Sequence, residues 1–224
     1  KCWLDVLLSS PSLPHHSSSS LPHVSSPSLP CRDAPRHRVA FLVAGVARGF
    51  DRPRLQRAFL QHVVLPLAPS AALRDIFLAL KLVNHTTSLY GKPWTEVATD
   101  AAALERGASQ VLQPRAVHLS YASTDDGAVL RPPVGRGCFS RLRDGVQGFL
   151  SSIHRALLLM QQAEAQRGLA YDVVVISRPD LLHARPLARW CDPRWAGLLA
   201  GTELVTTKND HMFVLPRAGA TALS

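Results

Sequence analysis

The chain is short of paired cysteines, lysine, aromatic residues and long apolar runs, and each shortage removes a class of function. Its four cysteines, Cys2, Cys31, Cys138 and Cys191, form no Cys-x-x-Cys pair, so neither a structural zinc site nor a dithiol redox motif is signalled. Free thiols are the simplest expectation, with a Cys138–Cys191 disulfide left open should the protein meet an oxidising compartment. No apolar run is long enough to cross a bilayer. Residues 1–8 are too short and lack the cleavage site of a signal peptide. Acidic residues are also scarce: 16 Asp plus Glu stand against 25 Lys plus Arg, for a net charge of +9. Such a balance favours an anionic partner, whether nucleic acid, a membrane surface or a phosphorylated small molecule. Only four of the 25 basic residues are lysine, and the arginines are scattered instead of forming one run, which weighs against nucleic acid.

What is present divides the 224 residues into two parts. Residues 1–37 hold a Ser/Pro/Leu/His tract that gathers too little apolar surface to offset the entropy of ordering, and they read as a disordered tail or linker. His15, His16 and His23 there read as part of a flexible polar tail, with metal binding as the sharper alternative. Residues 38–224 suffice for one domain with one core. The chain starts at Lys1 and stops at Ser224, so a fragment truncated at its C-terminus is expected.

Within that domain, strand and helix signals alternate. Residues 39–43 read as a strand, Gly45-Val46-Ala47-Arg48-Gly49 as a turn, and Pro53 as the opening of a helix that Pro66 closes near residue 64. Residues 75–80 read as a second strand, 100–112 as a helix halted before Pro114, and 116–120 as a third strand interrupted by His118. Asn84-His85-Thr86 has the form of a glycosylation sequon, meaningful only in a secreted chain. Residues 124–137 carry loop chemistry. Asp125 and Asp126 within them are a candidate metal pair or, more simply, solvated loop acids. A long helix from 140 to 167 aligns Val146, Phe149, Leu150, Ile153, Leu157 and Met160, and Gly168 stops it.

The sharpest segment is 171–180, Tyr-Asp-Val-Val-Val-Ile-Ser-Arg-Pro-Asp. Its unbroken β-branched run is what a central parallel strand covered on both faces requires. Pro179 ends the ladder, leaving Arg178 and Asp180 beyond a strand's carboxyl end, where open α/β sheets collect ligands. A structural ion pair between the two is the plainer reading. Farther on, 198–205 read as strand-like, and Asn209 and Asp210 abut the apolar run 212–215, either as a turn or facing the crevice of Asp180. The fold class is therefore α/β, a doubly wound, mostly parallel sheet flanked by helices. The first βα turn lacks Gly-x-Gly-x-x-Gly and no acid ends the second strand, which argues against a dinucleotide oxidoreductase.

In this order of elements, with the Arg-Pro-Asp strand end followed about thirty residues later by Asn-Asp-His-Met-Phe, the chain from 38 to 215 resembles a poorly characterised branch of the nucleotide-diphosphosugar glycosyltransferases of GT-A type fold. The resemblance implies a hexosyl- or related transferase moving sugar from a nucleotide-sugar donor to a glycan, protein or lipid acceptor. It also implies Mn or Mg held by Asp180 against the donor diphosphate, in which case Asp180→Ala abolishes nucleotide binding. By the same resemblance Arg48 lies at the nucleotide end, Arg178 and Asn209 touch the donor, Asp210 serves as general base on the acceptor side, and the Golgi lumen is the compartment. The family's Asp-x-Asp is here Arg178-Pro179-Asp180, so Arg178 supplements the metal, or replaces it, or the site is inactive. A reading of another class stays beside this one: a non-catalytic α/β module binding a polyanion, nucleic acid or sulfated glycan, through its arginines.

Overall fold

The computed structural model describes residues 37–82, 99–121, 144–200, 205–206 and 212–221. A six-stranded sheet organises them. Its strands are β1 (Val39–Val46), β2 (Arg74–Leu82), β3 (Ala116–Tyr121), β4 (Val173–Ser177), β5 (Val205–Thr206) and β6 (Met212–Pro216), in the order β3-β2-β1-β4-β6-β5. β1 pairs in parallel with both β2 and β4, and β2 with β3. β6 is antiparallel to β4 and to β5. Five strands thus run one way and β6 runs against them. The 171–180 run does form a strand inside the sheet, but one of its two neighbours is antiparallel.

Strand alternation separates two apolar layers. Val39, Phe41 and Val43 of β1 lie with Ile76, Leu78 and Leu80 of β2 and Val173 and Val175 of β4 on one face. Ala40, Leu42 and Ala44, with Phe77, Ala79, Val174 and Ile176, lie on the other. Against the first face pack α1 (Pro53–Phe59), through Phe59, and α2 (Ala101–Val111), through Leu104 and Ala108. Against the second packs α3 (Asp144–Arg167), through Ile153, Ala156, Leu157, Met160 and Ala163. Two short helices follow, α4 (Ala196–Leu199) and α5 (Arg217–Thr221). With helices on both faces, the fold is a doubly wound α/β sheet. Each fully buried Val, Leu or Phe in these layers contributes about 1.5–3 kcal/mol.

Local chemistry explains the boundaries. Asp100 caps α2, its Oδ1 accepting from the amides of Ala102 at 2.9 Å and Ala103 at 3.2 Å, which satisfies donors that the first turn leaves open. Gly168, at φ +64°, ends α3 in the left-handed conformation that glycine tolerates. At the amino edge of the sheet, polar groups tie the layers together. Tyr171 donates its hydroxyl to Asp75 Oδ2 at 2.7 Å, and Arg167 pairs with the same carboxylate. Arg217 forks onto Glu164 with bonds of 2.8 and 2.6 Å.

Several expectations need correcting. β1 continues through Gly45 and Val46 because both keep their pairing with β2, so the turn starts only at Ala47. Pro66 does not close the first helix. The chain widens into a π turn over Leu60–Val64 and then makes one more helical turn, Leu65–Leu67, that contains the proline; a π turn re-spaces the backbone bonds that a proline interrupts. Residues 196–199 are helical, and the strand described nearby is Val205–Thr206; a four-residue apolar stretch carries no period that separates helix from strand. Cys191 is disulfide-bonded and not a free thiol; cysteine spacing carries no information on such pairing. Cys2, Cys31 and Cys138, the histidines of the Ser/Pro tract, Asn84, Asp125 and Asp126 lie outside the described residues, as does the start of the long helix before Asp144.

Candidate functional site

The chain order makes a crevice between β1 and β4. From β1 the chain winds outward through β2 to β3, then returns across α3 to lay β4 on the other side of β1. Connections therefore leave the carboxyl ends of β1 and β4 in opposite directions, the switch point at which doubly wound sheets bind ligands. Two of the segments singled out by sequence meet there.

The turn after β1 is tight. Arg48 donates its amide to the Val46 carbonyl at 2.9 Å, Phe50 to that of Ala47 at 3.0 Å, and the Ala47 amide reaches across to the Lys81 carbonyl at 2.9 Å. These bonds place half-buried Arg48 beside the end of β2. Facing this turn, Pro179 lies close enough to Gly45 that a Cβ there would stand 3.4 Å from the proline Cδ. Arg48 and the Arg178-Pro179-Asp180 turn thus border one crevice.

Arg178 and Asp180 bind each other. Nε donates to Oδ1 at 3.0 Å and Nη2 to Oδ2 at 2.7 Å, a bidentate fork between planar groups. The side chains keep 31% and 20% of their exposure, so the fork is partly open to solvent. The structural ion pair is therefore present, just beyond the carboxyl end of β4.

Residues that the sequence did not single out complete the surroundings. Lys81, at the end of β2 opposite Val46, is only 5% exposed, so adjacent strands β2, β1 and β4 each bring a cation to the carboxyl edge. His183 packs on the Phe59 ring at 5.8 Å, its Nε2 lies 3.4 Å from Ser177 Oγ, and its carbonyl accepts from His62 Nδ1. Burial, and then the neighbouring His62, push the His183 imidazole down to about 4, so it is neutral at physiological pH. A lysine inside an otherwise apolar strand was a usable signal for Lys81. Nothing in the local pattern pointed to His183.

Asp180 was expected to hold Mn or Mg. Among the described residues no three His, Cys, Asp or Glu gather as metal ligands do, and both Asp180 oxygens are already engaged by Arg178. Among the described residues, then, Asp180 has no companions that would complete the several oxygen ligands a divalent ion needs. Asn209 and Asp210 lie outside the described residues.

A separate groove of about 950 Å³ opens at the opposite, amino edge of the sheet, lined by His37, Leu67, Leu73 and Trp190 among others. It contains none of the residues expected to act. Among the described residues no helix is long and apolar enough to cross a membrane. No protein-family model matches the chain, and no curated protein matches it.

Proposed function

We propose that the crevice between β1 and β4 takes the diphosphate of a nucleotide-sugar, and that the protein is glycosyltransferase-like, moving sugar to a glycan, protein or lipid acceptor. The observation that carries this reading is the meeting of the Arg48 turn with the Arg178–Asp180 fork at the switch point, with Lys81 on the adjoining strand. Arginine forks bind phosphate oxygens bidentately, and cations fixed beside a leaving diphosphate stabilise the charge that develops as the glycosidic bond breaks. Asp210 remains the candidate base toward the acceptor, with Asn209 beside it on the donor. The disulfide at Cys191 is in keeping with an oxidising compartment such as the Golgi lumen.

Calorimetric titration of the chain with UDP and GDP tests this reading. Saturable binding that weakens tenfold or more in Arg48→Ala is expected. Absence of binding to either nucleotide by folded protein would refute it.

One observation favours the polyanion reading. Arg52, Arg54 and Arg57 are exposed on and just before α1, a surface that a sulfated glycan would neutralise. That surface adjoins the strand edge and is not remote from it, which weighs toward the crevice. Binding of heparin that falls steeply with salt, without nucleotide preference, would reverse the order of the two readings.

A further inference from the structure

The fork at the end of β4 bears on how the crevice would hold an anion, and the inference below rests on reading that crevice as a diphosphate site. Fork-to-fork pairing engages both oxygens of Asp180, the two atoms that a divalent ion would otherwise share. Pro179 between the partners fixes its own φ and is buried against Gly45, so the turn presenting Arg178 is pre-set and not floppy. The guanidinium edge that matches two carboxylate oxygens matches two phosphate oxygens equally well. The fork is partly open to solvent, so an anion can reach it without prior unfolding.

We infer that Arg178 is itself the cation for the diphosphate, which binds without a divalent ion, and that Asp180 is an internal competitor occupying Arg178 until the anion displaces it. Asp180 then weakens anion binding where a metal ligand would support it. The two roles predict opposite responses to the same substitution.

The test titrates the full chain with inorganic pyrophosphate and with UDP, each in EDTA and in Mn. Expected are binding in EDTA that Mn changes by less than about twofold, a gain of about tenfold in pyrophosphate affinity in Asp180→Asn, and a loss of at least that much in Arg178→Met. Binding seen only with Mn and weakened by Asp180→Asn would overturn the inference while leaving the diphosphate site in place. Failure of folded wild-type protein to bind either probe in either buffer would overturn both. Should Asp180→Asn not fold, the wild-type comparison of EDTA with Mn decides the matter alone.

Discussion

Gly45 and Pro179 lie against one another across the mouth of the crevice. A Cβ on Gly45 would stand 3.4 Å from the proline Cδ and 3.6 Å from Phe149 Cδ2, and φ at this glycine is +127°. L side chains rarely adopt that backbone state, so Gly45→Ala forces either strain or movement of the Pro179 turn. A loss of about 1–3 kcal/mol in stability is expected from urea denaturation, together with weaker pyrophosphate binding because Arg178 sits on the displaced turn. An alanine variant with wild-type stability and affinity would show that the contact positions nothing.

His183 supplies a pH dependence whose sign is fixed. Its folded-state value is depressed to about 4 from 6.5 by burial and by His62, so between those values the unfolded chain binds the proton more readily. Stability held above pH 6.5 is therefore lost progressively as pH falls toward 4. His183→Gln removes this contribution. Urea midpoints at pH 7, 5.5 and 4.5 are expected to fall less steeply in the variant than in wild type, and parallel slopes would contradict the assignment.

At the other edge of the sheet, Tyr171→Phe deletes the hydroxyl that donates to Asp75 Oδ2 at 2.7 Å while leaving Arg167 on the same carboxylate. One hydrogen bond lost with its acceptor still paired costs about 0.5–1.5 kcal/mol. Burial, then Asp75, raise the phenol well above its ordinary value. That contribution is present below pH 10 and disappears as pH rises beyond it. Phenylalanine is accordingly expected to lower stability at pH 7 and reduce the loss on alkaline titration, with pyrophosphate affinity unchanged. A change in affinity would mean that the two edges communicate.

Much of this architecture is legible in the residues because burial on both faces leaves an unmistakable pattern. Val173 to Ile176, β-branched throughout, reads as an interior strand, and Ile153, Leu157 and Met160 recur at a helical spacing that α3 uses against the sheet. What escaped is decided by tertiary partners. Gly45 reads locally as a turn residue, yet pairing with Leu80 keeps it in β1. β6 runs against β4 and β5, and a short apolar run such as 212–215 carries no signal of strand direction. Arg178 and Asp180 read as a structural ion pair as well as site residues, and the pair is present; only its bidentate geometry follows from side-chain conformers that no sequence pattern encodes. His183 joins this edge because Phe59, from an element distant along the chain, packs on its ring, whereas Ser177 lies only six residues before it.

The central position of β1 also sets an order of events. β1 and β2 are neighbours along the chain, so the Arg48 turn and Lys81 can come together through a comparatively short loop. β4 must be recruited from far downstream: the amide of Arg38 donates to Asp172 Oδ2 across a sequence separation of 134 residues. Closing so long a loop is entropically costly before any contact rewards it, and pairings of this kind are slow. The half of the crevice that carries Arg178 is therefore assembled late. A chain caught part-way through folding, or still emerging during synthesis, holds the Arg48 turn without the Arg178 turn, and the two border one edge only once the fold is complete.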